Sequence, residues 1–237
     1  MFKNQTILVT GGGSGIGLAL ASRLLSAGNT VIVCGRRTSV LDSVKKKFPA
    51  IHTHVCDIST STGRVELFDW AIGAFPKLSV LVNNAGVQRH VKLTSDTYDS
   101  SEIAINLEAP IHLSMLFAQH LSGQKDSCII NVTSGLAFSP LASVPVYCAT
   151  KAALHSFTLS LRQQMPFKVV EILPPAVNTD LGGVGLHNFG EPLDKFADAV
   201  FERLLAGELE IAHGFAEEAS KAGPEKLGEI FKRMNSR

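Results

Sequence analysis

The stretch TILVTGGGSGIGLALASRLLSAG, residues 6–28, decides the fold. Its first five residues are β-branched or leucine and carry no charge, the composition of a strand buried on both faces. Glycines then crowd residues 11–17. From Gly15 onward leucines and alanines recur at three- and four-residue spacing until Gly28, which reads as a helix with one apolar stripe closed by a glycine. A buried strand, a glycine turn and a helix make the first half of a βαβ unit.

The same alternation continues outward. TVIVC (30–34) leads into SVLDSVKKKF (39–48), and IHTHVC (51–56) into GRVELFDWAIGAF (63–75). SVLVNN (79–84) precedes a loop and a long helix, TYDSSEIAINLEAPIHLSMLFAQHL (97–121). SCIINVTS (127–134) precedes a loop and a helix from about Val146 to Met165; KVVEIL (168–173) is a sixth strand and ELEIA (208–212) a seventh. Apolar strands separated by helices imply a doubly wound α/β fold, with helices on both faces of a parallel sheet and ligands at the carboxyl ends of the strands. With no repeat, low-complexity tract or linker, residues 1–237 read as one domain. FAEEASKAGPEKLGEIFKRMN (215–235) reads as a C-terminal helical tail broken near its AGP.

Composition narrows the function. Hydrophobic residues make up 45% of the chain, ample for a large core. Charged residues are 18%, below the roughly 25% of soluble domains, which leaves surface for a subunit interface. A net charge of +1 without a basic stripe argues against nucleic acid. The N-terminus runs straight into a strand with no apolar signal core, and no run reaches the roughly 18 apolar residues of a membrane span. Cys34, Cys56, Cys128 and Cys148 lack the spacing of a disulfide framework or zinc site. The expected location is the cytoplasm, with no metal.

In TGGGSGIG (10–17) neither GxGxxG nor the P-loop pattern fits, since Ile16 falls on the last glycine of the first and Leu18 and Ala19 replace the Lys-Ser/Thr pair of the second. TGxxxGxG does fit, through Gly11, Gly15 and Gly17. Such a turn is either a tight connection or a pyrophosphate cradle at a helix N-terminus; its place after the first strand favours the cradle. About 20 residues further on, an NAD site wants a carboxylate and an NADP site a cation. The chain has CGRR (34–37) and no acid before Asp42, so Arg36 first and Arg37 second are candidates for a 2′-phosphate, against the alternative of a solvated loop.

With these residues in hand the sequence resembles the short-chain dehydrogenase/reductase family. Four markers agree in order: TGxxxGxG (10–17), NNAG (83–86), VTS ending at Ser134, and YCATK (147–151), with Tyr147 13 positions after Ser134, the family's usual interval. The resemblance implies a Rossmann-type sheet of seven parallel strands in the order 3-2-1-4-5-6-7, and a dimer or tetramer packed through the fifth and sixth helices. It implies Tyr147 as acid/base, Lys151 as its partner, Ser134 as carbonyl anchor and Asn106 as the fourth member, holding a water that links Lys151 to solvent. The cofactor, NADP(H), is expected against Thr10, Gly11, Ser14, Gly15, Ile16, Gly17, Arg36, Arg37, Asp57, Ile58, Asn83, Ala85, Gly86, Tyr147, Lys151, Pro174, Val177 and Thr179. Pro175 stands where the family has glycine, stiffening the chain there, and Ser79 replaces a usual aspartate.

Residues i and i+4 share a helix face, so Tyr147 and Lys151 can enter one cleft. A phenol with a pKa of about 10 is a poor base; a neighbouring ammonium favours the phenolate. The expected function is reduction of a ketone or aldehyde to an alcohol, or the reverse. The alternatives are a non-catalytic NADP-binding regulator or sensor and a sugar-nucleotide epimerase or dehydratase, the latter wanting more chain than the residues after the sixth strand. NTDLGGVGLHNFGEP (178–192) reads as either a glycine-rich substrate lid or a connection without a gating role. Phe138, Pro140 and Leu141 are expected to form an apolar wall. Gln88, Arg89 and His90 are expected near the cleft mouth, where Arg89 and His90 either meet an acidic substrate or are solvated at the surface; His187 reads as a substrate contact or an exposed loop residue.

Overall fold

The computed structural model describes residues 2–94 and 99–236. Seven strands form one sheet: β1 (Thr6–Thr10), β2 (Thr30–Gly35), β3 (His52–Val55), β4 (Leu78–Asn83), β5 (Cys128–Val132), β6 (Lys168–Leu173) and β7 (Glu210–Ala212). Their order is β3-β2-β1-β4-β5-β6-β7, and every pairing is parallel, as the resemblance implies. Between strands lie α1 (Gly15–Ser26), α2 (Thr38–Lys47), α3 (Ser61–Ala74), α4 (Ser101–Ile103), α5 (Ala109–Ser122), α6 (Pro145–Gln164) and α7 (Leu193–Ala206); α8 (Phe215–Ser220) and α9 (Pro224–Asn235) follow β7.

Alternate strand residues feed two cores. Ile7, Val9, Val31, Val33, Val80 and Val82 meet Leu20 and Leu24 of α1 and Phe196, Val200 and Leu204 of α7 on one face. Leu8, Ile32, Leu81 and Ile129 meet Leu67 of α3 and Leu113 and Phe117 of α5 on the other. Each such side chain, fully buried, contributes roughly 1.5–3 kcal/mol. The middle strands, apolar on both faces, therefore cannot turn outward, and their carboxyl ends align along one edge of the sheet.

The boundaries differ from the sequence reading in physical ways. β5 stops at Val132 because Ser134 leaves the ladder to cap a 3₁₀ turn, Gly135–Ala137. The long helix expected from Thr97 begins, within the described residues, at Ser101; Thr97 and Tyr98 lie outside them. It is interrupted by a π turn, Ala104–Glu108, centred on Asn106, where Ala109 N–H bonds Ala104 O. Pro110 has no N–H to offer the Asn106 carbonyl one turn back, so the regular ladder is broken there. The break near AGP divides the tail into α8 and α9. α7 was not expected, although Leu193, Phe196, Ala197, Val200 and Leu204 have helical spacing and Gly207 closes it at φ +84°. It packs beside α1, and Arg23 ties the two helices through Asp194 at 3.1 Å and Asp198 at 2.6 Å.

Candidate active site

At the carboxyl ends of the strands a cleft of about 1730 Å³ runs from the glycine turn to the loop before α7. Gly11, Ser14, Gly15, Ile16 and Gly17 form one end of its wall, and Arg36, Arg37, Asp57 and Ile58 stand beyond β2 and β3. Ala85 and Gly86 line its middle, with Pro174, Val177 and Thr179 on the strand β6 side. Ser134, Tyr147 and Lys151 face the same space.

Gly11 has φ +64°, and a Cβ there would come within 2.7 Å of the Ala85 Cα, so the turn presses against the NNAG segment. Ser14, the N-cap of α1, makes no side-chain cap bond, which leaves first-turn N–H groups of the helix for an anion. These donors, the two arginines and the glycine cradle fit a nicotinamide dinucleotide.

Two expected cofactor contacts, Thr10 and Asn83, and the expected fourth catalytic member, Asn106, stand behind the wall. Thr10 is buried, its Oγ1 accepting the N–H groups of Asn84 and Ala85, both at 3.1 Å, and donating to Val82 O. Asn83 turns inward, donating to Asn131 Oδ1 at 2.9 Å and Ser114 Oγ at 3.1 Å; Asn84 lines the cleft in its place. Period-2 alternation carries neighbouring residues to opposite sides, and the sequence does not say which side is which. Asn106 is fully buried: its amide accepts Val87 N–H at 2.9 Å, donates to Val87 O at 2.8 Å and reaches Thr150 Oγ1 at 3.3 Å. It clamps the chain after Gly86 to α6.

Tyr147 and Lys151 sit one turn apart near the start of α6, both buried. Lys151 Nζ lies 5.6 Å from the centre of the Tyr147 ring and donates to Val132 O at 2.7 Å. Burial pulls the ammonium down to about 8, with the Glu171 carboxylate opposing. Burial likewise pushes the Tyr147 phenol upward, with a hydrogen bond from Ser134 opposing. Desolvation therefore dominates at Tyr147 and favours the protonated phenol, and the lowering expected from Lys151 is not found: the only opposing group is Ser134. Ser134 Oγ accepts Leu136 N–H at 3.1 Å, which directs the hydroxyl hydrogen away from that turn.

Leu141 lines the cleft together with Leu136, whereas Phe138 and Pro140 do not. Phe138 instead meets His155 edge-on, with ring centroids 4.7 Å apart, and packs with Leu173 and Ala216. Arg89, His90 and His187 do line the mouth, joined by Arg233 and Met234 from α9. Asn235 fixes that helix end by accepting Ala142 N–H at 2.7 Å and donating to Pro140 O at 3.1 Å. Arg64 also escaped the sequence reading. Its guanidinium donates to Ile58 O at 2.9 Å, Ser59 O at 3.3 Å and His112 Nδ1 at 3.0 Å, and so holds the loop that carries Asp57 and Ile58. Among the described residues no group of three or more His, Cys, Asp and Glu could hold a metal ion, and no helix is long and apolar enough to cross a membrane.

The family model described as short chain dehydrogenase matches residues 5–185. The chain belongs to the short-chain dehydrogenase/reductase family. It is similar to the uncharacterized oxidoreductase DltE of Bacillus subtilis (strain 168), 43% identical over 98% of this chain and 97% of that one. It is also similar to an L-xylulose reductase of Bos taurus, 33% identical over 74% of this chain and 72% of that one. A short-chain dehydrogenase from Burkholderia cenocepacia J2315, solved in complex with NADP, shares the fold at a TM-score of 0.84 and 24% identity over 100% of both chains. The chain is an oxidoreductase of this family.

Proposed function

We propose that the chain is an NADP(H)-dependent oxidoreductase that reduces a ketone or aldehyde to an alcohol, or runs the reverse, with Tyr147 as the acid/base. The observation that carries this is the shared wall: the glycine cradle and Arg36–Arg37 at one end, Ser134, Tyr147 and Lys151 at the other. The bound dinucleotide would supply or accept the hydride.

The chain's residues do the rest. Gly11–Gly17 and the N-terminus of α1 hold the pyrophosphate, and Arg36 and Arg37 the 2′-phosphate. The Ser134 hydroxyl donates to the substrate's carbonyl oxygen and fixes it beside the Tyr147 phenol. As negative charge develops on that oxygen, Tyr147 gives it a proton; in the alcohol direction the phenolate takes the proton back. The buried, protonated phenol suits the acid role in reduction. Leu136, Leu141 and the loop 178–192 keep water from the reacting atoms. Met115 of α5 and Leu159 of α6 are exposed on helices that would pair two copies of the chain.

Parallel titrations with NADPH and NADH, followed by a panel of ketones and aldehydes, test this reading. Tighter NADPH binding and turnover abolished by Tyr147→Phe are expected. Cofactor binding without turnover of any carbonyl or alcohol would refute it.

A further inference from the structure

Tyr147 and Lys151 are two members of a longer series, because His155 follows at the same i+4 spacing on α6 and shares their face. Opposite that face, in the middle of β6, stands Glu171, whose side chain is fully buried between Val170 and Ile172. A carboxylate buried within a parallel sheet is costly unless every oxygen is bonded. Here both are. His155 Nδ1 lies 2.9 Å from Oε1 and 3.0 Å from Oε2, and Thr133 Oγ1 donates to Oε1 at 2.6 Å.

Thr133 gives the pair its significance. It sits between Val132, whose carbonyl receives Lys151 Nζ at 2.7 Å, and Ser134, whose hydroxyl faces the cleft. Thr133 N–H also bonds Ile172 O at 2.9 Å, the neighbour of Glu171. One carboxylate thus grips the single residue that joins the ammonium's acceptor to the serine. It also supplies a negative charge that favours the ammonium, whose hydrogen bond in the protein is to the Val132 carbonyl.

We propose that Glu171, held by His155 and Thr133, is a positioning residue that keeps Lys151 an ammonium bonded to Val132 and holds Ser134 in register with Tyr147. This rests on the cleft being the reacting site described above. Burial draws Lys151 down to about 8, and Glu171 is the group that opposes it. The Glu171 carboxylate in turn raises His155, which also faces Glu210 of β7 and Arg162 of its own helix. Glu102 of α4, also buried, adds to the upward push on the Tyr147 phenol.

The variant Glu171→Gln keeps the shape and removes the charge. Lysine labelled with ¹³C and ¹⁵N at the side-chain terminus, assigned with a Lys151→Met control, reports the Lys151 midpoint by NMR without any turnover. In Glu171→Gln that midpoint should fall by about one unit or more, the scale on which a nearby opposite charge acts. In Glu171→Asp, which restores the charge, it should return toward the wild-type value. Should Glu171→Gln fail to fold, Glu171→Leu/His155→Phe replaces the pair with apolar groups, which buried ion pairs often tolerate, and should lower the midpoint as well. An unchanged Lys151 midpoint in a folded charge-removed variant overturns the proposal. Because the readout is independent of substrate, the two failures are distinguishable: a chain that turns over no carbonyl compound sinks the proposed activity, whereas an unmoved Lys151 midpoint sinks the role of Glu171 alone.

Discussion

Thr10→Val removes one hydroxyl from behind the cleft wall while keeping the side chain's shape. The Thr10 Oγ1 accepts two N–H groups, of Asn84 and Ala85. Asn84 N–H keeps a second acceptor, Val82 O at 3.1 Å, so only Ala85 loses its partner. An orphaned N–H costs roughly 1–3 kcal/mol. Ala85 lines the cleft and is only partly buried, so water relieves some of this and about 1–2 kcal/mol is expected. For a chain of 237 residues that corresponds to a fall in Tm of roughly 2–8 °C. Because Gly11 rests on Ala85, cofactor affinity should weaken along with stability. Calorimetry and a binding titration on the same preparation measure both. A variant that melts within about 1 °C of the parent and binds cofactor equally well would refute the reasoning.

Tyr147→Phe should cut turnover by roughly 10²–10⁴-fold with little change in cofactor affinity; activity within threefold of the parent would assign the proton to another group. Replacing Arg36 and Arg37 together by alanine should weaken NADPH about 10–100-fold and leave NADH nearly unchanged, the loss of charge-assisted bonds to a phosphate; equal losses for both cofactors would place the arginines elsewhere. Lys151 titrates near 8 in the folded chain against an ordinary value of 10.5, so between these the unfolded chain holds a proton the folded chain has released. Its stabilising contribution is full above the higher value and is lost as pH falls through the lower. Tyr147, pushed upward by burial, stays protonated across that window. The stability difference between the parent and Lys151→Met in urea should therefore grow from about pH 8 to about pH 10, and a flat difference would show that Lys151 is not desolvated.

What the sequence reveals is whatever a single element carries. The apolar runs of β1, β4 and β5 mark strands because both faces are buried, and the Tyr147–Lys151 spacing survives because a helix converts four residues into one face. What it hides is the meeting of elements. Glu171 reads as a polar residue in a strand until α6 is laid across it and His155 arrives opposite. Thr10 and Asn83 carry the right chemistry, but the pleat turns them inward, and the residue that reaches the cleft is Asn84. The π turn at Asn106 is legible only through Pro110, whose missing donor matters one turn earlier. α7 has the periodicity and the closing glycine, but it follows a glycine-rich segment that carries no signal for where a helix begins. Arg64 gave no local signal; its role depends on Ile58 and His112 coming within reach.

The segment from Asn178 to Glu191 is pinched at its base. Asn178 N–H bonds Glu191 O and Glu191 N–H bonds Ala176 O, both at 2.9 Å, while the Glu191 carboxylate grips His213 at 2.8 Å and Lys195 at 3.2 Å. A loop whose ends are already joined can grow or be exchanged at small entropic expense, since doubling its length adds only about 0.6 kcal/mol. Descendants of this chain could thus exchange residues between the two pinched ends with the sheet, the glycine turn and Tyr147 inherited unaltered.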